Sequence, residues 1–278
     1  ISQKSTQFLR INLILNKLVH SLHNVIEGNT LTNPQHLDGE ELKKFDFIIS
    51  NPPFKMDFSD MIKKLESDRL NRFFAGLPRI PKKDKNGMPI YETFLQHVIA
   101  SLSDRGKAAV VVPTGFTTAT GSIPKKIRQY LIDKNWLRGV IHMPSNIFAT
   151  TGTSVSIIFI DKTRTNEKVM LMDASNLGKK ITLEDGQRTI LSPEEKDKII
   201  SYFKECKEEP EFSVLVSVDD IKENDYSIQA GQYVELKDEV LDFDVEERLN
   251  YLKIKIKEQF ELSDKLTSSI LQSFESEV

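Results

Sequence analysis

The chain has 278 residues, of which 39% are hydrophobic, and a formal charge of −3; this excludes a disordered chain, allows a large core, and advertises no polyanion partner in the overall balance. The single cysteine, Cys206, excludes an internal disulfide framework and a cysteine-based metal cluster, and fits a reducing cytoplasm. The longest apolar runs, Ala108 to Val112 and Val155 to Ile160, are too short to span a bilayer, and no charged leader followed by an apolar segment opens the sequence, so a soluble cytoplasmic protein is expected.

Phe8, Ile11, Leu15 and Leu18 recur at helical spacing, which predicts an amphipathic helix over Gln3 to Val19. A short strand (Val25, Ile26), the turn "EGNTL", and a loop with a polar helical turn from Pro34 to Lys44 follow. The run Phe45, Phe47, Ile48, Ile49 then reads as a central parallel strand covered on both faces. Pro52 and Pro53 stop it, because they lack donors and bias the residues before them toward extended geometry. Asn51 is thereby held stiffly at a strand's carboxyl end, where open α/β sheets place their ligands, although Asn-Pro is also a common turn starter.

Lys55 to Leu70 reads as helical and charged, and Asn71 to Pro89 as a long loop rich in Pro, Gly and Lys. A helix over Tyr91 to Leu102 and a buried strand in "GKAAVVVP" come next, then a helix over Ile123 to Lys134. "WLRGVIHM", "SVSIIFI" and "KVMLMDAS" are strands, with the polar loop "PSNIFATTGT" between the first two. The alternation argues for a doubly wound, mostly parallel α/β sheet with an antiparallel pair near its end. After Ser192 the composition shifts to charged helices with a mixed segment around Phe212 to Tyr233, and Val245 to Ser273 carries Leu249, Leu252, Ile256, Phe260, Leu266 and Ile270 as one stripe. Such a stripe packs on the catalytic domain or on a partner helix.

An amide oxygen and a rigid carbonyl, as at Asn51 and Pro52, accept hydrogen bonds without taking a proton, which suits a planar amino group whose lone pair must be freed. Phe54 offers a face on which a flipped base can stack. Asn29, at the end of "EGN", is a candidate hydrogen-bonding group for an adenine ring, and Gly-Asn is also an ordinary turn. Two basic clusters, Arg79, Lys82, Lys83 and Lys85, and Lys125, Lys126 and Arg128, are candidates for phosphate contact or plain solvated faces. The histidines His20, His23, His36, His97 and His142 show no metal-ligand pairing, so no metal is expected, and His97 reads as structural. There is no G-x-S-x-G and no P-loop.

"SNPPF" after the strand, with "GNTL" before it, resembles the amino-group methyltransferases that use S-adenosylmethionine. "FLQHVIASLSDRGKAAVVVP", "IRQYLIDKNWLRGVIHMPSNIFATTGTSVSIIFI", "VMLMDAS" and "FSVLVSVDDIKENDYSI" are similar to the modification subunit of type I restriction-modification systems. The resemblance implies a Rossmann-like fold that methylates adenine N6 in double-stranded DNA, partnered by a specificity subunit and a restriction subunit. It implies a catalytic domain over 1–210 and a C-terminal segment over 211–278 with a long helix for subunit contact. It assigns Asn51, Pro52, Pro53 and Phe54 to catalysis, with Phe54 the stacking residue, and Asn29, Thr30, Leu31 and Asn51 to the cofactor.

The family's first strand and glycine-rich loop are expected to be missing, since none of the twelve glycines is spaced G-x-G and the first, Gly28, follows the opening helix. The family often has a Gly-Gly pair where this sequence has "ATGSIP". Rival readings are a methyltransferase for a protein glutamine amide, which presents the same planar nitrogen, and a non-catalytic scaffold subunit.

Overall fold

The computed structural model describes residues 3–148, 154–183, 186–234 and 244–275, so "PSNIFATTGT" falls partly outside the described residues. The chain divides into two compact units, Ile1–Glu235 and Leu236–Val278. Helix α1 (Gln3–Leu15) stops short of Val19 because Lys17 adopts a left-handed conformation (φ 60°), and it buries none of its apolar residues. Val25 and Ile26 lie outside any strand, so the predicted short strand is not formed. Where a helical turn was expected before Lys44, β1 (Leu37–Asp38) and β2 (Glu41–Leu42) form an antiparallel hairpin around Gly39, whose φ of 63° glycine adopts freely.

Strand β3 (Phe45–Ser50) leads into the Asn51 segment. The helix expected across Lys55 to Leu70 is limited to a 3-10 turn and α2 (Ile62–Glu66). The Asp57 carboxylate takes both the Ser59 N–H and hydroxyl, at 2.9 and 2.7 Å, so helical turns begin only after it. Helix α3 (Ile90–Ser101), β4 (Leu102–Pro113), α4 (Ser122–Asp133), β5 (Leu137–His142), β6 (Val155–Asp161) and β7 (Lys168–Asp173) follow the expected order. A hairpin of β8 (Lys179–Leu183) and β9 (Gly186–Ile190), helix α5 (Pro193–Glu205), β10 (Ser213–Ser217) and α6 (Val218–Glu223) complete the first unit.

Among the described residues the main sheet has six strands in the order β10-β7-β5-β6-β4-β3. β3 pairs parallel with β4 and β5 parallel with β7, while β6 runs antiparallel between β4 and β5, and β10 runs antiparallel to β7 at the edge. The sheet is thus mostly parallel and doubly wound, with one reversed strand inside it as well as the expected antiparallel pair near the end. Leu95, Val98 and Ile99 of α3 and Ile127 and Leu131 of α4 pack with Val110, Val112, Val140 and Leu171 on one face. α5 covers part of the other face through Ile199, against Ile141, Met170 and Met172. Gly139 lets this second layer close, because a Cβ there would stand 2.7 Å from Phe203 Cε2 of α5.

The position of β3 departs from expectation. It is an edge strand among the described residues, and on one face Phe47 and Ile49 are 77% and 89% exposed. Apolar, β-branched composition reports a strand's suitability for burial, whereas its neighbours decide whether burial occurs.

These positions separate in denaturant experiments. Leu131→Ala, at a site with no exposure, is expected to cost about 2–5 kcal/mol. Ile49→Thr should stay within about 0.5 kcal/mol of the parent, and equal losses for the two would contradict this packing.

Candidate functional site

The site is built where β3 leaves the sheet. Its last ladder residue, Ser50, pairs with Val110 of β4. Asn51 beyond it is exposed, Pro52 is buried and Pro53 is exposed. Phe54 is half-buried and packs on the main core. The chain is therefore pinned on both sides of the Asn51 amide, by a ladder before it and an aromatic anchor after it. Met56 N–H then bonds Met88 O at 3.2 Å, which ties the base of the long basic loop to this segment. Arg79, Lys82, Lys83 and Lys85 of that loop are exposed. The Asp57 carboxyl lies below its ordinary value, chiefly through hydrogen bonds from Ser59 and also through the positive charge of Lys85.

The "GNTL" turn packs on the stretch that follows this segment, at Phe58 and Met61. Leu31, 1% exposed, shares an apolar cluster with Phe58, Ile62, Leu65, Met88 and Ile90, on which Phe94 of α3 also packs. Asn29 Nδ2 lies 3.6 Å from Met61 Sδ, a weak acceptor. Asn29 Oδ1 accepts the N–H groups of Leu31 and Thr32 at 3.0 and 3.2 Å, so the carbonyl side of this amide closes its own turn. Thr30 is half-buried, and Leu31 commits its side chain, N–H and carbonyl to the protein interior.

A buried arginine that sequence reasoning passed over holds this turn. Arg72, 2% exposed, donates to Thr30 O at 2.9 Å and Leu31 O at 2.6 Å, and pairs with Asp68 at 2.7 Å. Its Nη1 also lies 3.2 Å from His97 Nδ1. Burial, and then the neighbouring Arg72 charge, push His97 down to about 4, so it is a neutral structural imidazole. The available signal was an arginine inside the apolar stretch Leu70 to Phe74, where a charge needs buried partners.

Of the second basic cluster, Lys126 is exposed, whereas Lys125 and Arg128 are engaged within the protein. Arg128 is 1% exposed and donates to Tyr226 O, Phe116 O and Ala119 O at 2.7–2.9 Å, while Lys125 pairs with Asp225. A buried guanidinium serving three carbonyls is a structural tie and offers nothing to a phosphate. Among the described residues, no three His, Cys, Asp or Glu side chains gather as for a metal ion, and no helix is long and apolar enough to cross a membrane.

The fold is that of a restriction-modification methyltransferase subunit. The solved type I methyltransferase subunit from Streptococcus thermophilus superposes with a TM-score of 0.66 at 24% identity, over 84% of this chain and 47% of that one. The chain belongs to the N-6 DNA Methylase family, whose profile matches residues 1–242. It is 29% identical over 251 residues to the methylase subunit of type I restriction enzyme MpnII from Mycoplasma pneumoniae, covering 88% of this chain and 44% of that protein. It is also 27% identical to the HindI methylase subunit from Haemophilus influenzae, over 87% of this chain and 53% of that protein. The chain spans about half the length of the curated relatives it matches.

One titration probes the packing beside the site. Glu92, in the first turn of α3, is 5% exposed, and burial pushes it up to about 7, opposed by a hydrogen bond from the Tyr91 hydroxyl. Because its folded value is raised, its contribution to stability is complete below about 4.5 and is lost as pH rises through about 7. Glu92→Gln should therefore gain in melting temperature relative to the parent between pH 5 and 8, and parallel curves would refute the burial of this carboxyl.

Proposed function

We propose that this chain is the methyl-transferring portion of a DNA adenine-N6 methyltransferase, the modification subunit of a type I restriction-modification system. The observation that carries the reading is the setting of Asn51, Pro52, Pro53 and Phe54. An exposed amide and a prolyl carbonyl stand at the end of a sheet strand, beside an aromatic ring anchored in the core. Family membership and the relatives' identity as methylase subunits support it.

In this mechanism Asn51 Oδ1 and the Pro52 carbonyl accept the two hydrogens of the adenine amino group. That draws the nitrogen toward tetrahedral geometry and frees its lone pair. The adenine leaves its helix and stacks on Phe54, which offsets an unstacking cost of a few kcal/mol. S-adenosylmethionine, when bound, would supply an electrophilic methyl carried on a sulfonium, for which the freed amino lone pair is the acceptor. Neither amide acceptor is basic enough to keep the surplus amino proton, which passes to water. In-line positioning by the rigid segment can supply roughly 7–11 kcal/mol of the barrier reduction.

The residues present fit the adenine end of this cofactor. Among the described residues the Asn29 amide hydrogens meet a thioether, a weak acceptor, and Leu31, Phe58, Met88 and Phe94 share the apolar cluster under this turn. Residues 1–210 carry the catalytic part in this reading, and 211–278 the part that meets the specificity subunit. Helix α7 (Val245–Glu275) exposes its stripe, with Leu249, Ile256 and Phe260 at 49%, 56% and 67%. Double-stranded DNA and the specificity and restriction subunits are the proposed partners, and the loop with Arg79, Lys82, Lys83 and Lys85 faces the DNA backbone.

With the specificity subunit present, Asn51→Ala should lower methyl transfer from labelled cofactor by about 10²–10³-fold with an unchanged circular dichroism spectrum, and full activity in that variant would sink the assignment. Phe54→Ala should lower it by about 10- to 100-fold through lost stacking. Converting the four loop cations to alanine should weaken DNA binding at all sequences and shrink the slope of affinity against salt by about 0.9 per lost contact; an unaltered slope removes this loop from the interface.

A further inference from the structure

The end of the sheet away from Asn51 carries a second cleft. It lies where β3 and β4 begin and has a volume of about 460 Å³. One wall is aromatic: Phe74, 40% exposed, lies on Tyr130 with ring centroids 4.2 Å apart and planes inclined by 33°. Tyr130 in turn meets Trp136 edge-on at 5.4 Å. The facing wall is cationic. Lys44 Nζ donates to Ala100 O at 2.6 Å and Lys162 Nζ to Leu102 O at 3.0 Å, so both ammonium groups gather at the turn from α3 into β4. Exposed Arg69 also lines the cleft.

Lys162 sits 4.5 Å over the Trp136 ring, at the junction of the two walls. Burial, and then the charge of Lys44, push Lys162 below the ordinary lysine value. Two ammonium groups bound to carbonyls two residues apart, one of which depresses the other, are an arrangement that a bound anion relieves. Arg72 also reaches this cleft, but Asp68 already neutralises it.

We propose that this cleft is a nucleotide site separate from the Asn51 site, with a base against the Phe74–Tyr130 wall and a phosphate held by Lys44, Lys162 and Arg69. The combination of a stacking wall with a basic groove is the one that proteins use for single nucleotides and strand ends. Glu40 and Glu41 also line the cleft, so a monophosphate suits it better than a triphosphate. A free nucleotide and the end of a single nucleic-acid strand present the same chemistry.

Trp136 is the only tryptophan in the sequence, so its fluorescence reports on this cleft. The whole chain is titrated with adenosine monophosphate, adenosine, and a short single-stranded oligonucleotide bearing a terminal phosphate. Saturable quenching by the monophosphate is expected, roughly tenfold weaker for adenosine and for the Phe74→Ala and Lys162→Met variants, and unchanged in Asn51→Ala. Tighter binding of the oligonucleotide than of the monophosphate assigns the site to strand ends, and the reverse order assigns it to free nucleotide. No saturable response at millimolar monophosphate, a response that survives Lys44→Met with Lys162→Met, or displacement by S-adenosylmethionine would each overturn the proposal. The methyl-transfer reading stands or falls separately, since it is scored by methylated product.

Discussion

The site depends on one constraint, the point at which β3 can no longer hydrogen-bond. Two consecutive prolines remove two donors and fix two φ angles immediately after the last ladder residue, so the chain must leave the sheet at Asn51. A turn of other composition could swing freely there. Here Pro52 and Phe54 return at once to the core, and Asn51 is exposed between two fixed points. An acceptor that must meet a planar amino group at one angle gains from such stiffness, because none of its orientation has to be acquired during the reaction.

A second constraint acts at longer range. The buried Arg72 guanidinium is satisfied by a carboxylate four residues away and by two carbonyls about forty residues earlier in the chain. Removing one partner of such a group strands a charge in a poorly solvated interior, at a cost of about 3–5 kcal/mol. The turn carrying Asn29, Thr30 and Leu31 is therefore held by electrostatics from within as well as by the packing of Leu31. Leu31 packs with Phe58 and Met88, whereas Phe54 packs on the main core, so the two motifs rest on separate apolar clusters joined by the short stretch from Phe54 to Phe58.

The sheet itself is unevenly covered. Its α3–α4 face is closed, whereas α5 shields the opposite face over β5, β6 and β7 and, among the described residues, Phe47 and Ile49 of β3 stay bare. The reversed strand β6 lies between two strands that run the other way, so the polarity of the sheet changes inside it rather than only at its edge.

What the sequence by itself determined is local in origin. Helices α3 and α4 and strands β3 to β7 follow from periodicity and proline punctuation, and the stiff Asn51 segment follows from covalent geometry alone. The β1–β2 hairpin and the shortened Lys55 to Leu70 helix were missed because a glycine with positive φ and an aspartate turn outweighed weak helical patterns. Tertiary structure alone decided the rest. It placed β3 at the edge of the sheet among the described residues, committed Asn29 Oδ1 to its own turn, and buried Arg72 and Arg128. Arg128 takes one of its acceptors, Tyr226 O, from 98 residues away. A charged side chain reads the same in sequence whether it faces water or a ring of carbonyls, because its partners are supplied by distant segments that only folding brings together.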